Sequence, residues 1–74
     1  MDRKLLDKAG LEALNQAIAG GAVHRVDDGT QSEPLREALV TRDRKLVYRI
    51  DDGIPVLLVE EAIATAQVAG FPRQ

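Results

Sequence analysis

Between Ala38 and Ile50 the hydrophobic period of the chain becomes two. Leu39 and Thr41 alternate with Val40, and Leu46, Tyr48 and Ile50 alternate with Val47 and Arg49. The charged run Arg42-Asp43-Arg44-Lys45 separates the two halves. In a strand, successive side chains point to opposite faces, so this pattern predicts an antiparallel hairpin over residues 38–50. An isolated two-stranded hairpin is marginal at best in water. The rest of the chain must therefore supply a further strand and a cover.

Asp51-Asp52-Gly53 reads as the next turn and "IPVLL", Ile54 to Leu58, as a third short strand. Pro55 cannot donate a ladder hydrogen bond, so it marks an edge or bulge position. Proline there also blunts uncontrolled edge-to-edge pairing. Residues 7–20 carry a helical pattern, with Leu11, Leu14 and Ile18 on one face. Asp7 is the candidate N-cap, and Gly20-Gly21 supplies the stop. Gly10 weakens the first turn and moves the expected start toward Leu11. A second helix is expected over 59–70, "VEEAIATAQVAG". Val59, Ala62, Ile63 and Ala66 would form its apolar face, with Glu60 and Glu61 in the first turn, where the helix dipole favours acid. Between the helices, residues 22–34 are polar and turn-rich. A short strand at Val23–Val26 and a turn at Asp27–Gly29 are expected there. "EPLREALV" then suggests a brief helical turn, with Ser32 as cap and Pro34 near the first helical position. The expected class is α+β: a small antiparallel sheet, hairpin plus third strand, flanked by helices in a single domain over 1–74. One internal echo stands out. "AVHRVDDGT" (22–30) resembles "LVYRIDDGI" (46–54) at an offset of 24. Reuse of Asp-Gly turns explains it without a repeat architecture.

With 74 residues the core is small. Below roughly 70–80 residues it rarely supplies more than about 3–5 kcal/mol. There is no cysteine, which excludes disulfides and thiolate zinc sites, and a single histidine, His24, excludes a site of several imidazoles. Tyr48 and Phe71 are the only aromatics, so the core is aliphatic. A net charge of -2 argues against a dedicated nucleic-acid binder. No apolar run approaches the roughly 20 residues of a membrane span, and the start lacks the apolar stretch of a signal peptide. A cytoplasmic protein is the expectation.

No active site assembles from these residue types. His24 lacks an orienting partner and a nucleophile in any recognisable order. Asp27, Asp28, Asp51 and Asp52 match no calcium loop and read as turn formers. Gly20-Gly21 follows a helix, which is the wrong geometry for a phosphate loop. Arg42, Arg44 and Lys45 at the hairpin tip are candidate RNA contacts, although Asp43 sits among them and no stacking aromatic is near.

"MDRKLLD" at 1–7 and "LVTRDRKLVYRIDDGIPVLLVEEA" at 39–62 carry a family resemblance. They resemble the short bacterial YcaR-type family, itself related to the small zinc-ribbon-like activator subunit of methyltransferases. Asp52 to Leu58, "DGIPVLL", matches the signature, and Glu60 and Glu61 follow it. The cysteine knuckle of the wider group is missing here, and Thr41 stands where relatives carry a further cysteine, so no zinc site carries over. The helix at 11–19 is similar to an insertion in longer members.

The resemblance implies a zinc-ribbon-like topology without zinc, no cofactor and no catalysis by this chain. It implies a protein partner, such as a methyltransferase of the translation machinery, met through sheet edge and apolar surface. Tyr48, Ile54, Pro55, Val56, Leu57 and Leu58 are the expected contacts. An RNA-binding accessory protein and a small self-associating structural domain are the alternatives.

Overall fold

The computed structural model describes residues 3–21 and 23–72. Its elements, in chain order, are β1 (Arg3–Leu5), α1 (Lys8–Ala19), β2 (Ala38–Thr41), β3 (Leu46–Asp51), β4 (Ile54–Pro55) and β5 (Ile63–Ala64). Single 3₁₀ turns occupy Val59–Glu61 and Thr65–Gln67. The architecture is α+β: an antiparallel sheet with one helix, among the described residues.

β3 is the axis of the sheet. On one side it pairs with β2 in the register Leu39↔Tyr48 and Val40↔Val47, which is the expected hairpin. Its other side is shared. β4 takes the Asp51 end, with Asp51↔Ile54, and β5 takes the Leu46 end, with Val47↔Ile63. The chain leaves one end of this edge after Pro55 and rejoins it at Ile63, so residues 56–62 make an excursion off the sheet. β1 adds to the far side of β2, with Arg3↔Thr41 and Leu5↔Leu39. This strand is not legible in "MDRKLLD", where charges outnumber β-formers.

α1 begins one turn earlier than Gly10 suggests. The Asp7 carboxylate accepts from Gly10 N at 2.9 Å, which satisfies one of the free amides of the first turn. Gly10 is needed for space as well: a Cβ there would stand 2.5 Å from Leu6 Cδ1. Gly21, at φ +77, takes the left-handed position just past the helix. Leu14 and Ile18 are buried, as the periodicity predicts, beside Val23, Leu35, Val40, Val47, Ile63, Val68 and Phe71.

Two expected helical segments are not helices. Residues 33–37 form an irregular link to β2, with bends at Glu33 and Arg36. The Asn15 side chain donates to Leu35 O at 2.9 Å and accepts from Leu35 N at 2.8 Å, behaving as a strand partner. Residues 59–70 break into a 3₁₀ turn, β5 and a second 3₁₀ turn. The β-branched Ile63 and Thr65 favour the sheet. Ile63 and Ala64 pair with β3, Val26 N donates to Ala62 O at 2.9 Å, and the backbone groups a helix needs are used up. Tertiary pairing overrides the helical spacing.

The echo at an offset of 24 residues has a structural counterpart. Ile63 pairs with Val47 on one side and with Arg25 on the other, so the two copies flank β5. Val23 and Val47 are both fully buried. Arg25 pairs with Asp27 at 3.5 Å and Arg49 with Asp51 at 2.9 Å, in corresponding positions. Asp28 and Asp52 both have positive φ, at 69 and 52 degrees, a region that aspartate tolerates better than most residues.

Candidate functional site

The excursion between β4 and β5 sets the most conspicuous surface. Ile54 is 68% exposed, Leu57 46%, Leu58 50% and Val59 55%. Scattered exposed aliphatics are ordinary, but a contiguous run in so small a domain needs a reason. Val56 is half-buried and donates to Arg49 O at 2.9 Å, so pairing continues for one residue past β4. Beyond it the chain leaves the edge of β3 until β5 and enters the 3₁₀ turn, where Glu61 N donates to Leu58 O at 2.9 Å. Val26, on the neighbouring strand-like segment, adds another exposed aliphatic beside Ala62.

Of the expected contact residues, Ile54, Pro55, Leu57 and Leu58 lie on this surface, with Val56 half inside. Tyr48 does not. It is 5% exposed, on β3, with the Arg3 guanidinium 5.1 Å from its ring centroid. A period of two puts it on the face opposite the core residues Val40 and Val47, across from Leu39, and there it is buried all the same. Val59 belongs to the surface, although helical spacing assigned it to a buried face. Only the end of pairing along β3 reveals this, which sequence periodicity does not carry.

The excursion is anchored from beneath. Arg49 donates to Glu61 at 2.7 Å and to Asp51 at 2.9 Å, tying the 3₁₀ turn and the β3–β4 turn to the middle of the sheet. The hydrogen bond to Glu61 holds the Arg49 guanidinium pKa above its ordinary value, against partial desolvation. Acids crowd the margin: Asp27 N donates to Glu60 O at 2.8 Å, bringing the Asp27-Asp28 turn beside Glu60. Glu37, Asp51 and Asp52 border an open groove of about 420 Å³ next to β4.

At the opposite end of β3, the hairpin tip splits the three candidate RNA contacts. Arg42 and Lys45 are exposed. Arg44 is buried, its side chain 5% exposed. Its Nε donates to Pro72 O at 2.8 Å, its guanidinium lies 5.4 Å from the Phe71 ring centroid, and Asp7 stands 3.7 Å away. Arg44 pins the Phe71–Pro72 segment and presents no cation to a ligand. The tip itself is built by Thr41 and Asp43. Thr41 Oγ1 donates to Asp43 at 2.7 Å, and Lys45 N donates to Asp43 at 3.0 Å.

His24 is exposed, with Thr30 Oγ1 3.4 Å from its Nδ1. Its backbone is bracketed by Gln67, whose side chain accepts from His24 N at 2.9 Å and donates to His24 O at 2.7 Å. Among the described residues no group of three or more acidic or imidazole side chains is placed to hold a metal. None of their helices is long and apolar enough to cross a membrane.

A UPF0434 protein of Rhodopseudomonas palustris is 53% identical over 62 residues, which cover 84% of this chain and 77% of that one. The chain belongs to the UPF0434 family. The fold agrees: XF2673 from Xylella fastidiosa, solved by solution NMR, superposes with a TM-score of 0.91. The two are 60% identical, with 97% of this chain and 74% of the other covered. No family profile matches the chain. Membership bears out the coarse expectation of a small bacterial family.

Proposed function

We propose that this UPF0434 chain is a non-catalytic partner subunit that docks through the Ile54–Val59 surface. One observation carries the reading: aliphatic residues on an anchored excursion, held in place by Arg49 yet left uncovered. An enzyme needs convergent polar groups in a concavity; this surface offers exposed aliphatics instead. The resemblance to methyltransferase activator subunits makes a methyltransferase of the translation machinery the first partner to seek, and this step rests on analogy. Affinity capture from native lysate tests it, with the full chain and the L57S/L58S pair side by side. A methyltransferase retained by the wild type and lost from the pair is the expected result. Equal retention, or none together with a stable monomer, sinks the reading. The RNA alternative keeps Arg42 and Lys45 but loses Arg44 to the interior. An RNA titration with no salt dependence would end it.

A further inference from the structure

We infer that the Ile54–Val59 surface takes a protein partner whose apolar groove is rimmed by lysine or arginine. The inference rests on the docking reading above and adds the chemistry of the partner. Three cations lie near this surface: exposed Arg36 lines the groove with Glu37 and Asp52, and the other two are already matched. Arg49 is held by Glu61 and Asp51, and Arg25 by Asp27. Around them stand exposed Asp28, Asp52 and Glu60, and among the described residues no ion pair neutralises these three. Asp52 follows the β4 partner Asp51, and Glu60 follows Val59, so the acids border the aliphatic residues directly. The exposed cations Arg42 and Lys45 sit at the other end of β3. At about 3.4 Å per residue, its length separates the two ends by roughly 17 Å.

This arrangement selects among occupants. Two copies meeting face to face would bring the same acids together, which disfavours a symmetric dimer through this surface. Nucleic-acid phosphates and anionic membrane surfaces are repelled for the same reason. A foreign surface with aliphatic pockets and a cationic rim satisfies both the apolar residues and the acids.

The test uses the isotope-labelled full chain, titrated with a designed amphipathic Leu/Lys peptide and with its Leu/Glu counterpart. It compares the wild type with D28N/D52N/E60Q and with L57S/L58S. Asparagine is chosen at the two positive-φ positions because it tolerates them. Thermal melts of all three confirm folding. The Leu/Lys peptide is expected to shift the amides of residues 52–60. Its binding should weaken about tenfold in the neutralised variant and in high salt, and vanish in L57S/L58S. The Leu/Glu peptide should not bind. No shift at 52–60 with the Leu/Lys peptide, equal binding of the two peptides, or indifference to neutralisation overturns the charge inference. Mass that rises with concentration in sedimentation, and falls back on neutralisation, makes a head-to-tail copy the occupant and also overturns it. The docking reading is judged separately, by whether L57S/L58S abolishes native capture.

Discussion

Two neighbouring segments of similar hydrophobicity have opposite fates. Ile54, Leu57, Leu58 and Val59 lie open to solvent, while Ala62, Ile63 and Val68 are buried. Composition does not separate them; their place along β3 does. Ile63 lies between Val47 and Arg25, with strand-like neighbours on both sides. Leu57 and Leu58 occupy the interval in which the second edge of β3 is held by neither β4 nor β5. In a domain this small, sheet geometry rations burial, and apolar residues outside the paired intervals remain exposed.

The sharpest way to break this comparison is to truncate one member of each segment. Ile63→Ala removes a fully buried side chain from the centre of the core. A loss of about 2–5 kcal/mol is expected from lost transfer energy and the cavity left behind, read as a lower midpoint in denaturant. For a domain near the size limit that is most of its stability. A loss under about 1 kcal/mol would mean that the core around β5 is loose, and the contrast would fail.

Next in size is Arg44→Met, which asks whether the tail beyond β5 is held by packing or by polar contacts. Arg44 Nε donates to Pro72 O, and Arg44 O accepts from Thr65 Oγ1 at 2.6 Å. The substitution removes the first bond and leaves the second. About 1–3 kcal/mol is expected, with amide exchange rising first at Val68 and Phe71. A fall confined to the hairpin tip would show that Arg44 acts through the turn and not through the tail.

Legibility in the sequence followed the range of the interactions. The hairpin is set by alternation and one charged turn, all within 13 residues of each other, and it was readable. The cap of α1 was readable for the same reason, since Asp7 and Gly10 are three apart. The helix expected over 59–70 failed because Ile63 answers to Val47 and Arg25, which are distant in sequence. The turn expected after Ser32 failed because Asn15, 20 residues away, claims the backbone of Leu35. For the site, the DGIPVLL stretch falls on the exposed excursion, whereas Tyr48 and Arg44, expected at the surface, are buried. Tyr48 lies under the half-buried Arg3, and Arg44 holds the Phe71–Pro72 segment. Residue type gave both an external role, and only the packing around β3 assigns them an internal one.

A smaller effect on stability, with a larger one on binding, is expected from Leu57→Ser. The side chain is almost half exposed, so stability should move within about 0.5 kcal/mol. If the midpoint drops as far as for Ile63→Ala, the excursion is part of the core and the proposed docking surface disappears.

The hairpin tip is a third kind of exposed segment, ordered by hydrogen bonds where the excursion is left apolar. Asp43 accepts from Thr41 Oγ1 and from Lys45 N, and these bonds hold its carboxyl below the ordinary value of 3.8. A folded-state pKa below the unfolded one gives stability that is present above the unfolded value. That stability is lost as pH falls through the folded value. The tip should therefore hold through neutral and mildly acidic pH and loosen only below about pH 4. In Asp43→Asn the carboxylate is gone at every pH, so the gap between variant and wild type should narrow as the solution is acidified. Exchange of the Lys45 amide between pH 7 and pH 2 reads it directly. A gap that stays constant across that range would assign the ordering of the tip to Thr41 alone, whose hydroxyl also accepts from Leu46 N at 3.1 Å.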